Sequence, residues 1–346
     1  MFEKDTLKEA LIRLIFWLPH NGRDLPWRLS RDPYQIWVSE IMLQQTRTTA
    51  VIPYYERFIT ELPNVRALAE APDDTLMKLW EGLGYYSRAR NLKKAAQIIV
   101  REYDGRLPAN YDKIRSLPGI GDYTAGAICS IAFEMPEPAV DGNVLRVIMR
   151  LLASDEDISK ESTKKRVIAM LRELYPNGGH SIALTEALMQ LGENVCIPNG
   201  EARCELCPLS DICAAKLGGI VSLLPVKSPK KPRKTEFKTV LILRHGQKIA
   251  VLRRPEKGLL AGLYELPNYS GDMGYIPEYL AKHGMTAVTS KPLGKAKHIF
   301  THIEWWMEGA DVEVDTPSPD YIWITPEEAK DVYAIPMAFR YYTEKI

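Results

Sequence analysis

The sequence is short of cysteine, of net charge and of long hydrophobic runs. Five cysteines in 346 residues are too few for a disulfide-stapled scaffold. The best apolar stretch, Leu11 to Leu18, is short and carries Arg13, so nothing reaches the eighteen or so residues of a membrane span. The opening MFEKDTLKEA lacks the basic region and apolar core of a secretory leader. No membrane association is expected, and the expected location is the cytoplasm, at the nucleoid if the source is bacterial. Lys and Arg total 45 against 44 Asp and Glu, a formal charge of +1. Before Pro225 there are 27 basic and 29 acidic residues, and after it 18 and 15. A uniformly basic DNA-coating protein is thereby excluded, and any nucleic-acid partner has to be met by local basic groups.

What is present is the balance of a soluble globular protein, 46% hydrophobic and 26% charged, and the length suits two domains. Leu7, Leu11, Leu14, Ile15 and Leu18 repeat at helical spacing, as do Leu92, Ala95, Ala96, Ile99 and Tyr103. Further helical stripes run through Val144, Val147, Ile148, Leu151 and Leu152, and through Leu184, Ala187, Leu188 and Leu191. No run of strands is expected before Leu223. LLPVKSPKKPRK then brings three prolines and only basic charges, the composition of an interdomain linker. Beyond it, FKTVLIL and KIAVLRR flank RHGQ as a hairpin. A further strand is expected around Ile299 to Met307, and TPEEAKDVY reads as a capped helix start.

Four segments carry chemistry. IRSLPGIGDYTAGA, from Ile114 to Ala127, is an apolar turn with Gly119 and Gly121 leading into a small-residue helix. Its N–H groups suit a phosphate, and a plain helix–turn–helix corner is the alternative. In EPAVDGNVLRVIMRLL, Asp141 is placed as an N-cap, where the helix dipole and nearby N–H groups would hold it ionised. In DPYQIWVSEIMLQQT, Asp32 caps a helix with Pro33 in its first turn, and Glu40 falls between Ile36 and Trp37 on an apolar face. Such a glutamate is either paired structurally or raised in pKa and able to hold a proton near neutrality. Together, Glu40 and Asp141 suit the division of acid and anion roles at a glycosidic bond. Finally Cys196, Cys204, Cys207 and Cys213 read C-x7-C-x2-C-x5-C, a set suited to a cubane iron–sulfur cluster, a structural zinc or, remotely, a disulfide.

Hairpin, aspartate and cysteine group occur together in the order found in helix–hairpin–helix DNA glycosylases with a [4Fe-4S] cluster, and residues 25 to 213 resemble that superfamily. LPWR, WVSEIMLQQT, EGLGYYSRARNL, LPGIGDYT, VDGNV and TEALMQLG resemble, in order, segments of the adenine DNA glycosylases of the MutY type, which remove adenine mispaired with 8-oxoguanine. The resemblance implies a multidomain architecture. An all-α helix–hairpin–helix glycosylase domain would occupy residues 1–222, including a cluster loop at 196–213, followed by a linker at 223–236 and an α+β Nudix-like domain at 237–346. Glu40 would protonate the leaving adenine, and Asp141 would stabilise the cationic sugar, with Tyr123 and Asn143 orienting both. Glu186 would contact the extruded base, while Gln45 and Tyr85 wedge into the stack, with Gln44 and Tyr86 as further wedge candidates. Arg28, Leu117, Gly119 and Gly121 complete the expected contacts to substrate and DNA. The four cysteines would hold one [4Fe-4S] cluster. The partner would be double-stranded DNA carrying adenine opposite 8-oxoguanine or guanine, and a monomer is expected.

Two features refine the expectation. Bifunctional relatives such as endonuclease III carry a Schiff-base lysine where this chain has Tyr123, so a monofunctional enzyme leaving an abasic site is expected. RRPEKGLLAGLYELP resembles the opening of a Nudix segment, but NYSGDMGYIPEYL follows in place of a glutamate-rich metal-binding helix, so no pyrophosphatase activity is expected. Phe300-Thr301-His302 resembles a Phe-Ser-His loop that contacts 8-oxoguanine, with threonine for serine; an exposed strand segment is the alternative. The cysteine spacing is one residue longer than the usual six. Asp122 stands where proline or a basic residue is usual, and would weaken phosphate binding unless it points away. A glycosylase for another damaged base, a noncatalytic iron–sulfur DNA-binding protein and a Nudix hydrolase with a DNA-binding extension are the competing readings. Tyr123 speaks against the first, retention of both Glu40 and Asp141 against the second, and the missing glutamates against the third.

Overall fold

A computed structural model describes residues 2–22, 24–229 and 232–346. Lys230 and Lys231 of the expected linker lie outside the described residues. Helices dominate up to residue 217: α1 (Phe2–Asn21), α2 (Pro33–Leu43), α3 (Thr48–Glu61), α4 (Val65–Glu70), α5 (Asp73–Leu79), α6 (Ser87–Glu102), α7 (Tyr111–Arg115), α8 (Asp122–Ala132), α9 (Gly142–Leu151), α10 (Glu161–Arg172), α11 (Gly179–Gln190) and α12 (Ala214–Leu217). Among the described residues seven strands follow: β1 (Lys234–His245), β2 (Lys248–Arg253), β3 (Tyr264–Glu265), β4 (Asn268–Ser270), β5 (Ala287–Ile299), β6 (Ile303–Val314) and β7 (Ile322–Ile324). The short helix α13 (Ile276–Lys282) lies between β4 and β5, and α14 (Pro326–Asp331) and α15 (Arg340–Thr343) follow β7. No described helix is long and apolar enough to cross a membrane.

The chain folds as two compact units, residues 1–70 with 91–229, and residues 71–90 with 230–346. The first is helical. Its core is built from the stripes visible in the sequence: Leu7, Leu11 and Leu14 of α1 pack with Val144, Val147 and Ile148 of α9 and with Leu184 and Leu188 of α11.

The second unit is built on a sheet of order β3-β2-β1-β6-β5, with β4 beside β1 and β7 beside β2. Val240, Leu241, Ile242 and Leu243 form a continuous apolar run because both faces of β1 are covered there. Val240 and Ile242 join Trp305, Phe339 and Tyr342 on one side, while Leu241 and Leu243 join Ile276 and Leu280 of α13 on the other. β1 and β2 form the expected hairpin, closing with His245 opposite Lys248. The strand expected at Ile299–Met307 is interrupted: residues 300–302 form the turn between β5 and β6. Thr325 caps α14 in a full capping box with Glu328.

Residues 71–90, expected within a single helical domain, are grouped with the sheet. Side chains and carbonyls account for this: Lys78 Nζ donates to the Tyr333 carbonyl at 3.2 Å, the Ile335 N–H to Glu81 Oε1 at 2.9 Å and Arg90 to the Ala261 carbonyl at 2.7 Å. Such polar contacts of long sequence separation leave no periodic signature.

Candidate active site and nucleic-acid interface

The first unit holds a partly open cavity of about 200 Å³, on the scale of one extruded base and far too small for a duplex. It is lined by Arg28, Glu40, Tyr123, Asp141, Asn143 and Glu186, all singled out from the sequence, and also by Arg47, Thr48 and Glu193.

Glu40 reaches the cavity because the Asp32 carboxylate caps α2 by accepting the Tyr34 N–H at 2.8 Å, which fixes where the helix starts. The residue is only 4% exposed. Burial pushes its carboxyl up to about 7, opposed by the Tyr123 hydroxyl and by Arg28; the hydroxyl donates to Oε2 at 2.9 Å. Glu40 therefore exchanges a proton near neutrality, the condition for a general acid.

Asp141 caps α9, accepting the Asn143 N–H at 2.9 Å and the Val144 N–H at 2.8 Å on one oxygen and the Asn143 amide at 2.8 Å on the other. The cap is as expected, but the helix terminus does not by itself set the pKa. Burial outweighs it and moves the group upward, against those N–H donors and the charge of Arg146. Opposite, Glu186 stands 3.5 Å from Arg28, its pKa also raised by burial and restrained by that guanidinium.

Arg146 was not evident in the sequence as a site residue. It is 3% exposed and donates to Asn143 Oδ1 at 2.9 Å, to the Gly192 carbonyl at 2.7 Å and to the Cys196 carbonyl at 2.6 Å. One buried guanidinium thus ties the Asp141–Asn143 turn to the start of the cysteine loop. Its position three residues after Asn143, on the same helical side, was the available signal. Gly192 packs so closely that a Cβ there would come within 2.7 Å of Asn143 Cβ, which explains the glycine.

The hairpin between α7 and α8 is formed as expected. Gly119 has φ +79°, and a Cβ there would meet Asn91 at 2.7 Å. Gly121 has an ordinary φ of −96° and open space around its Cα, so its smallness leaves room for an outside group. Leu117, expected among the DNA contacts, is only 3% exposed. Its side chain belongs to the core, and its carbonyl accepts the Ile120 N–H at 3.1 Å. Asp122 turns back on the hairpin: its carboxylate accepts from Arg115 Nε at 2.5 Å, and that contact holds its pKa down.

Of the four wedge candidates, Gln44 donates to Thr124 Oγ1 at 3.2 Å and Tyr86 is buried. Gln45, in the first unit, and Tyr85, in the second, are exposed, and both sit in the left-handed region at φ +59° and +48°. Backbone strain of this kind at non-glycine residues clusters at functional sites. The Tyr85 turn is held by Trp80 Nε1 and Arg88, which both donate to the Gly84 carbonyl at 3.1 Å. Within the same unit the Tyr85 hydroxyl lies 3.0 Å from Thr301 Oγ1. Thr301 and His302 are exposed in the β5–β6 turn, closed by the Phe300 N–H donating to the Ile303 carbonyl at 2.8 Å. Phe300 packs its ring against His298 and Trp305, so it anchors the turn from the core side.

Cys196, Cys204, Cys207 and Cys213 line one small cavity with Arg150 and Lys216. The Arg203 N–H closes the loop onto the Val195 carbonyl at 3.0 Å, and the additional residue lies in the enclosed segment, where Gly200 takes φ +79°. Burial pushes the Cys207 thiol up to about 11 and raises Cys204 and Cys213 as well. Arg150 donates toward Cys196 Sγ at 3.3 Å. Four half-buried thiols beside two cations fit a group that takes four thiolates and offsets their charge. Among the described residues no three His, Cys, Asp or Glu side chains stand close enough to grip a single metal ion, so the cysteine group is defined by its shared cavity.

Residues 38–173 match the HhH-GPD superfamily of base excision DNA repair proteins, a span that includes Glu40, Tyr123, Asp141 and Asn143. Residues 239–345 match the NUDIX domain. Adenine DNA glycosylase of Buchnera aphidicola is 33% identical over 84% of this chain and 82% of that protein. The adenine DNA glycosylase of Rattus norvegicus is 31% identical over 96% of this chain and 77% of its own length. The chain belongs to the adenine DNA glycosylase family. Among solved structures, a thermostable thymine-DNA glycosylase superposes with a TM-score of 0.57 at 28% identity, covering 62% of this chain and 98% of its own. For an adenine DNA glycosylase, the absence of lysine among the residues lining the cavity is the feature that bears most directly on the chemistry.

Proposed function

We propose that this protein is a monofunctional DNA glycosylase that extrudes adenine paired with 8-oxoguanine or guanine, cleaves its glycosidic bond and leaves an abasic site. The observation that carries the reading is a pair of buried carboxylates on one base-sized cavity, one titrating near 7 with Tyr123 donating to it and the other clamped by three N–H donors. Adenine leaves poorly as an anion. A proton from Glu40 on a ring nitrogen lets the bonding electron pair depart with a neutral base; the cation left on the sugar is stabilised by Asp141 until water adds at C1′ and releases a proton, giving the abasic site. Tyr123 stands at the position where bifunctional relatives carry an amine, so nothing there attacks C1′ as a Schiff-base nucleophile. Arg28 and Glu186 face the base, and the hairpin N–H groups receive a backbone phosphate. Gln45 and Tyr85 fill the space left in the stack, and the Thr301–His302 turn reads the oxidised partner base.

Cys196, Cys204, Cys207 and Cys213 would hold a [4Fe-4S] cluster. When bound, that group neutralises the thiolates and ties the loop together; Arg146 links its first ligand to Asn143.

The test is adenine release from duplexes with 8-oxoguanine, guanine or thymine opposite adenine, each assayed with and without alkali. Release fastest opposite 8-oxoguanine, with strand breaks only after alkali, is expected. Strand cleavage without alkali, or binding without release, would contradict the reading.

A further inference from the structure

The cavity carries a carboxylate that the mechanism above leaves unused. Glu193 lies in a single wide turn, Leu191–Val195, of the kind frequent at functional sites. Its neighbour Gly192 is packed on Asn143 and hydrogen-bonded to Arg146, so the backbone carrying Glu193 is tied to the catalytic turn. Its side chain is fixed from the other direction: Glu193 Oε1 accepts from the Thr48 hydroxyl at 2.9 Å. Thr48 is the first residue of α3, an end of the helix that favours a negative charge. The residue lines the same cavity as Glu40, Tyr123, Asp141 and Asn143. Burial first, and after it the charges of Glu40, Asp141 and Glu193, push the Tyr123 hydroxyl well above its ordinary value, which places Glu193 within electrostatic reach of the reacting groups.

Basic and acidic side chains on the cavity wall are two arginines, Arg28 and Arg47, and four carboxyls, Glu40, Asp141, Glu186 and Glu193. Glu193 is thus one of four acidic side chains on the wall, and the one tied to Thr48.

We propose that Glu193, fixed by Thr48, is a second anionic group for the cationic sugar, acting beside Asp141. The inference rests on the glycosylase reading and extends it. As the C1′–N bond breaks, the electron pair leaves with the base, which takes the Glu40 proton, and the positive charge spreads over C1′ and the ring oxygen. Glu193 forms no bond and transfers no proton; its charge lowers the energy of that cation relative to the neutral ground state. Glu193 is exposed in the free protein, where water and salt screen it; a duplex over the cavity mouth removes much of that screening.

The test compares binding of two duplexes, one carrying a protonated pyrrolidine in place of the target sugar and one a neutral tetrahydrofuran, to wild type, Glu193→Gln and Thr48→Val. Glutamine keeps the acceptor for Thr48 and removes the charge. The expected result is a wild-type preference for the cationic analogue that falls roughly three- to tenfold in Glu193→Gln, with tetrahydrofuran binding unchanged and single-turnover excision reduced by a similar factor. Thr48→Val, which keeps the charge and removes that one tie, should lower the preference less. An unchanged preference in Glu193→Gln, or equal weakening of both analogues, would overturn the proposal and leave Glu193 as a structural tie. A wild type with no preference for the cation would remove the glycosylase reading itself, a distinguishable failure.

Discussion

At the scale of single residues, the candidate site holds two carboxylates in unlike surroundings. Both are raised by burial, but Asp141 receives three hydrogen bonds from the α9 terminus and Asn143, while Glu40 receives one from Tyr123. A general acid titrating near 7 works while it keeps its proton. Single-turnover excision should therefore fall as pH rises through about 7. The Tyr123 hydroxyl favours the ionised form of Glu40, so Tyr123→Phe should leave Glu40 more basic and move the falling limb to higher pH, with a lower maximal rate. A pH–rate profile of both proteins measures this. A limb that moves to lower pH in Tyr123→Phe would show that the hydroxyl instead supports the protonated form. Glu40 and Asp141 were legible in sequence because caps and apolar faces are local patterns. Arg146, Gly192 and Glu193 were not, since their importance comes from contacts made across the fold.

At the scale of elements, the hairpin from α7 to α8 presents its backbone while pairing its own nearest charges. Asp122 is neutralised by Arg115 across the turn, so the carboxylate that looked unfavourable for phosphate binding also removes one cation from the interface. Asp122→Asn should free Arg115 and tighten binding to undamaged duplex several-fold. It should also steepen the dependence of log affinity on log salt by up to about 0.9. Affinity titrations at several salt concentrations decide it; weaker binding in Asp122→Asn would mean that the ion pair shapes the hairpin. The helices, the β1–β2 hairpin and the cap of α14 were legible because period and turn chemistry announce them. The 300–302 turn was hidden inside a β-prone stretch that continues from β5 into β6, where no glycine or proline marks the break. Leu117 shows the opposite limit: a residue inside a binding motif can be there for the core.

At the scale of the whole molecule, one compact unit carries the cavity and the other the Tyr85–Thr301 contact. Their chain boundaries were only partly legible, since residues 71–90 are joined to the sheet by isolated polar contacts. If the Thr301 hydroxyl reads the partner base, Thr301→Val should cut the preference for 8-oxoguanine over guanine by roughly 5- to 100-fold, the range for one lost hydrogen bond. Release opposite guanine should be little changed; an equal loss opposite both bases would point to a structural role for the Tyr85–Thr301 contact. The most direct test of the central claim is single-turnover adenine release by Glu40→Gln beside wild type, with duplex affinity measured in parallel. The account predicts retained binding and a loss of at least about a hundredfold in rate. Release at an undiminished rate by a variant that binds normally would contradict it.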